Sequence, residues 1–334
     1  SVEEKINFVF WKAYLVLDQN DIECINICGF KKLNGNQIIS EDITYILNDL
    51  KNKINDVEKD KSILHLFNTE FILDKKTIKN LPIGLYGNFY SHQLTFFLIK
   101  NNEIDNFQKL LNNCNLNLNK IILKNFTSGI NLINNEKKDT FLKVIIKKES
   151  SQIIYFNNSA FNFFQNFQFG SNLIIKDVSK VCSLRLSNAE ELLNDICFDN
   201  KNLSETYLDN KYFKNQEVRK ISLGHVREVI AARVKEIVDL VINQNTNLQS
   251  TIPQNIPIFL FFEDKKIFSN LSELFKEFFT NKNNLNIKNV VNNADTDPIK
   301  ISGELISRGW VREAIPVTQK KKSFISRIFS TFFD

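Results

Sequence analysis

Methionine is absent from the 334 residues, and glycine (9), proline (5), histidine (3) and tryptophan (2) are scarce. With no methionine at Ser1, the natural start of the chain is expected upstream. No run of eighteen apolar residues occurs, so no transmembrane helix is expected, and no signal peptide is visible. Five cysteines (Cys24, Cys28, Cys114, Cys182, Cys197) make an odd count, and Cys24 and Cys28 lack a matching second pair. Neither a zinc site nor a disulfide framework is supported, and a reducing cytoplasm is the simplest setting. His65, His92 and His225 lie far apart in sequence with no ligand partners at metal spacing, which predicts structural or surface roles and no metal. The G-x-S-x-G pattern is missing, so neither Ser128 nor Ser222 sits in a nucleophile elbow. A net charge of +5 is small for this length, and Lys and Glu alternate along most helical stretches, which gives no case for a nucleic-acid partner.

What is present is apolar mass. The hydrophobic fraction is 43%, with 30 phenylalanines, enough for a sizeable core. Residues 2–16 begin as a charged helix and turn strand-like near Phe8. Strands are predicted over 22–28, 62–73, 93–100, 119–123, 141–146, 152–156 and 256–262. Helices are predicted over 40–53 with Ser40 as N-cap, 106–111, 172–184, 189–196 and 222–243. In the last of these, Val226, Ile230, Val234, Ile237, Val238 and Val241 form one stripe, with Arg227, Arg233, Lys235 and Asp239 opposite. A further helix carries Leu271, Leu274, Phe275 and Phe278. Residues 207–220 read as a loop or hairpin, 281–298 as a polar low-complexity stretch, and Trp11 and Trp310 as core or rim residues. Strands alternate with helices, which predicts an α/β architecture.

The last fifteen residues, KKKSFISRIFSTFFD, carry a physical signal of their own. Phe324, Ile325, Ile328, Phe329, Phe332 and Phe333 fall on one helical face, led in by Lys320, Lys321 and Lys322 and flanked by Arg327. Such a helix is too short to span a bilayer but suits the headgroup boundary of an anionic membrane. The competing reading is a terminal helix docked on its own domain. The polar stretch before it favours a tether.

Several fragments, in order, resemble the bacterial cell-division family FtsA, the actin-like membrane anchor for FtsZ. ISEDITYILNDL (39–50) is similar to the family's I-T-x-x-D-I helix. LHLFNTEFILDKKTIKNLPIGLYG (64–87) resembles its L-H-x-x-P-x-x-Y-x-L-D…P-x-G-M-x-G stretch, with Leu85 in place of the methionine and Leu73, Asp74, Pro82, Gly84 and Gly87 retained. QLTFFLI (93–99) falls where a family strand would follow. FGSNLIIKDVSKVCSLRLSNAEELL (169–193), HVREVIAARVKEIVDLV (225–241) and the terminal helix complete the set.

The resemblance implies an actin-like (ribonuclease H-like) ATPase fold with an inserted small α+β subdomain and a C-terminal amphipathic helix. It implies a remnant of the first large subdomain at 1–29, an SHS2-like insertion at 30–100 and a return at 101–137. The second large subdomain would comprise 138–188 and 256–316, the small subdomain 189–255, and the membrane-targeting tail 317–334. It also implies a place on the cytoplasmic face of the inner membrane at the division site, contact with anionic lipids, self-association, and capture of the FtsZ C-terminal peptide. Arg219, Arg227 and Arg233 are the cations placed to meet an acidic peptide.

The sequence departs from the family where nucleotide should bind. No first phosphate loop precedes residue 39. The second, D-x-G-x-G-T-T, aligns with Ile145, Lys147, Lys148, Glu149, Ser150 and Ser151, without aspartate or glycine. The adenine-side L-T-G-G aligns with Phe261, Phe262, Glu263 and Asp264, whose carboxylates would repel polyphosphate. Ala189 and Glu190 persist from A-E-x-x-K, but Leu193 replaces the lysine. The expectation is a scaffold with no catalytic residues and no bound ATP or magnesium. An actin-like ATPase with unorthodox loops and a pilus-assembly scaffold are the alternatives.

Overall fold

The computed structural model describes residues 2–18, 21–198, 206–251, 253, 256–279, 285–289 and 298–314. Two compact units emerge: Ser1–Asp139, Phe156–Phe164 and Thr296–Asp334 form one, and Thr140–Tyr155 with Gln165–Asp295 form the other.

The first unit opens with α1 (Val2–Ile6), β1 (Lys12–Leu17), β2 (Glu23–Lys32), α2 (Ser40–Val57), β3 (Lys61–Leu73), β4 (Lys76–Ile78), β5 (Phe89–Lys100), α3 (Asn101–Asn112), β6 (Asn117–Leu123) and α4 (Lys124–Glu136). β1 pairs in parallel with β6, while β2, β5, β3 and β4 form an antiparallel sheet in that order. Helix α2 covers one face of this sheet because Ile43, Ile46, Leu47, Leu50 and Ile54 recur at helical spacing, and all five are buried with Leu66, Leu94 and Phe96. Ser40 is the first helical residue rather than the N-cap; Asp42 secures this end by accepting the Ile39 N–H at 3.2 Å.

The chain continues through β7 (Phe141–Ile146), β8 (Ser151–Asn157) and β9 (Ala160–Phe167). Asn158 and Ser159 join β8 to β9 with positive φ (46° and 65°), the conformation of a two-residue hairpin turn. Around that turn, Phe161 stacks on Phe97 at 4.1 Å and Phe156 at 5.1 Å and meets Phe67 at 5.9 Å, building an aromatic core in the first unit.

The second unit contains α5 (Asn172–Val181), α6 (Leu186–Asp195), α7 (Leu223–Val238), α8 (Thr246–Thr251), β10 (Ile258–Phe262), α9 (Lys265–Phe278) and β11 (Leu285–Asn289). The sheet runs β11-β10-β7-β8-β9, with β10 parallel to both β7 and β11. A central strand flanked on both sides must be apolar throughout, and all five residues of β10 are buried. Ser222 caps α7 by accepting the His225 N–H at 3.2 Å, and the predicted stripe from Val226 to Val241 is buried. Residues 239–243 continue α7 as a π-helical turn.

The chain then returns to the first unit as α10 (Pro298–Arg308), with Ile301 and Leu305 buried. Gly309, at φ 74°, ends the helix in the left-handed conformation while its N–H bonds Leu305 O at 2.9 Å. The turn sends residues 310–314 alongside β3. The Asn68 N–H donates to Arg312 O at 2.9 Å and the Ala314 N–H to Leu66 O at 2.8 Å. Trp310 donates its indole N–H to Ser159 O (2.7 Å), and Arg312 donates to the carbonyls of Asn158 (3.1 Å) and Lys79 (2.6 Å).

Among the described residues, α4, α8, β9, α10 and the short β4 lie beyond the predicted set. β11 lies inside the stretch read as polar low-complexity; its pairing with β10, not its own composition, holds it extended. Trp11 is 71% exposed rather than part of a core or rim, whereas Trp310 is half-buried. All five cysteines are free thiols.

Candidate functional site

Residues 147–150, where a second phosphate loop is expected to align, form the turn between β7 and β8. It is closed by the Lys147 N–H donating to Ser150 O at 2.9 Å. The first amides of α5 point at this turn: Ser171 N–H donates to Lys147 O (2.9 Å) and Asn172 N–H to Lys148 O (3.0 Å). The next two are also satisfied, Leu173 by Gly170 O (3.1 Å) and Ile174 by Ser171 O (3.0 Å). A helix N-terminus holds phosphate through such unpaired donors. Here backbone carbonyls already take them.

Side chains around the turn carry the wrong sign for a polyphosphate. Glu263 Oε2 accepts the Lys148 N–H at 3.4 Å, and Asn172 donates to Glu149. Lys148 Nζ lies 3.6 Å from Glu190 and 4.0 Å from Asp264. The cation is thus engaged by carboxylates of its own unit. Gly170 permits the close approach, because a Cβ there would fall 2.2 Å from Lys147 O and 2.7 Å from Lys148 O. Gly170→Ala is expected to cost about 1–3 kcal/mol, since the obstructing atoms are backbone. Urea denaturation measures it, and an unchanged midpoint contradicts this packing.

The three arginines are not gathered into one cluster. Arg219 is exposed in the segment before α7. Arg227 donates from Nε to Phe198 O at 3.0 Å and lies 3.6 Å from Glu277, while Arg233 pairs with Asp177 and, at 2.7 Å, with Glu236. Six residues apart on a helix of 3.6 per turn, Arg227 and Arg233 serve different faces.

The tail, with Lys320, Lys321, Lys322, Phe324, Ile325, Arg327, Ile328, Phe329, Phe332 and Phe333, lies outside the described residues. Among the described residues, no helix is long and apolar enough to cross a membrane, and no group of three His, Cys, Asp or Glu could hold a metal.

A buried polar cluster in the first unit stands apart from the expected site residues and includes His65, for which a structural or surface role is expected. Glu313 Oε1 lies 2.6 Å from His65 Nδ1 and 3.8 Å from Lys120 Nζ. The Leu123 N–H approaches His65 Nε2 at 3.2 Å. A backbone N–H can only donate, so Nε2 accepts and the ring donates from Nδ1 to Glu313. Burial pushes the Glu313 carboxyl up, but His65 and Lys120 together hold it below the usual glutamate range. Burial draws the Lys120 ammonium down despite the attraction of Glu313. Nothing local in the sequence pairs these positions, since His65 and Glu313 are 248 residues apart.

Sheet and helix alternate through the described residues, and an antiparallel sheet, β2-β5-β3-β4, stands among them, in keeping with an actin-like fold that carries an insertion. The structure of the PilM–PilN type IV pilus biogenesis complex shares this fold, with a TM-score of 0.50 at 11% identity, covering 86% of this chain and 70% of that one. Residues 20–92 match the family described as the SHS2 domain inserted in FTSA. The chain is similar to Cell division protein FtsA of Neisseria meningitidis serogroup B, with 25% identity over 229 residues, 67% of this chain and 55% of that protein. FtsA of Buchnera aphidicola subsp. Schizaphis graminum is 23% identical over 246 residues, 72% of this chain and 58% of the relative. The chain spans somewhat more than half the length of these two relatives.

Proposed function

We propose that this chain is a cell-division scaffold that tethers FtsZ filaments to the cytoplasmic face of the cell membrane at the division site. The amphipathic segment 320–334 supplies the anchor, and mechanical coupling takes the place of nucleotide hydrolysis. The observation that carries the reading is the SHS2 domain of FtsA type at 20–92 in a chain similar to FtsA over two thirds of its length. The self-satisfied N-terminus of α5 and the carboxylates around Lys148 support a scaffold without ATP or magnesium. The division into subdomains at 1–29, 30–100, 101–137, 138–188 with 256–316, 189–255 and 317–334 belongs to the same proposal.

Arg219, Arg227 and Arg233 are the cations offered to the acidic FtsZ C-terminal peptide, with Arg219 the most accessible. Side-by-side self-association would present many tails at once and strengthen a reversible anchor by raising effective concentration. Co-sedimentation of the protein and FtsZ with anionic vesicles tests the reading. Without nucleotide, both are expected in the pellet, and Mg–ATP is expected to leave the thermal midpoint unchanged. FtsZ remaining in the supernatant overturns the tethering role, and a midpoint raised by Mg–ATP favours an actin-like ATPase.

A further inference from the structure

We infer that Glu313, His65 and Lys120 form a latch that fixes the root of the C-terminal segment to β3, so that a pull on residues 315–334 enters the fold through the SHS2 sheet. The carboxylate of Glu313 touches both other members. It is held by His65 at 2.6 Å and Lys120 at 3.8 Å, with side-chain exposures of 2%, 0% and 10% for Glu313, His65 and Lys120. Backbone pairing surrounds it: Glu313 bridges Phe67 in antiparallel fashion, and the hydrogen bonds of Arg312 O and Ala314 N–H lie on either side.

The same five-residue segment, 310–314, also reaches the β8–β9 turn, the residue after β4 and the β3 ring of Phe71 through its own side chains. Trp310 reaches Ser159, and Arg312 reaches Asn158 and Lys79 while its guanidinium lies 5.3 Å from the centre of the Phe71 ring. A buried ion pair is weak support for stability in general, yet removing one partner leaves the other charge stranded. The cluster therefore makes release of the segment all-or-none. Glu313 stands seven residues before Lys320, where such a device separates a held tail root from a loose one.

The latch can be tested in solution without vesicles, so its failure is distinct from failure of the membrane reading, which concerns the tail itself. Hydrogen exchange is followed at Ala314 N–H and Asn68 N–H, with the β5 amides as reference. Glu313→Gln is expected to speed exchange at both by roughly a hundredfold or more while leaving β5 unchanged. Unchanged exchange at Ala314 overturns the latch. Should Glu313→Gln prevent folding altogether, the variant Glu313→Gln with Lys120→Met removes the stranded ammonium, and recovery of a folded protein with fast Ala314 exchange supports the latch. A folded double variant with native protection at Ala314 overturns it.

Discussion

Phe161→Ala is expected to lower the free energy of unfolding by about 3–5 kcal/mol, as for a fully buried aromatic ring whose site cannot collapse. Phe161 has no solvent exposure and sits among four other phenylalanines: Phe97 at 4.1 Å, Phe156 at 5.1 Å, Phe67 at 5.9 Å and Phe126 at 6.3 Å. These rings come from two strands of the SHS2 sheet, a helix and a hairpin, so no single backbone movement fills the void. Phe97 and Phe156 would lose a stacked partner on top of the transfer term. Guanidinium denaturation measures the change. A loss below about 1 kcal/mol would mean that the neighbouring rings close over the gap, contrary to the rigidity that interiors of this density show.

Deleting residues 323–334, or combining Phe329→Asp with Phe332→Asp, is expected to abolish sedimentation with anionic vesicles. Each large apolar side chain contributes about 1.5–3 kcal/mol when fully buried and less at a headgroup boundary. Each cation adds about 1 kcal/mol near an anionic leaflet. The double aspartate variant removes two of six apolar anchors and places two negative charges against the lipid, so binding should weaken roughly a hundredfold or more. Neutral vesicles should bind the unaltered chain less well, because Lys320, Lys321, Lys322 and Arg327 lose their partner. Undiminished binding by the truncated chain would remove this segment as the anchor.

The sequence showed its periodic elements and hid those whose reason is tertiary. α7 and α2 announce themselves through stripes that the fold buries as expected. α4 is written with Asn, Thr, Ser and Gly, weak helix formers, and it forms because Phe126, Ile130 and Leu132 are buried. β9 buries Asn162, a polar residue that breaks the alternation by which strands are found. α10 carried a legible mark, proline at its first position, that went unread.

At the candidate site, the lost glycines and the acidic residues near Lys148 could be read directly. The carbonyls that occupy the amides of α5 could not, because they depend on the approach permitted by Gly170. Arg227 and Arg233 were visible as cations, and Glu236 lies three residues after Arg233 on the same helix, but the partners Glu277 and Asp177 required the packing of α7 against α9 and α5.

The bridge between Phe67 and Glu313 sets an order of events during synthesis. Long-range pairings are slow to close, and a ribosome delivers the chain from its first residue onward. His65 and Lys120 are synthesised well before Glu313, so an imidazole and an ammonium wait without the carboxylate they contact in the fold. The nascent chain therefore passes through a stage in which its SHS2 sheet lacks a final stitch.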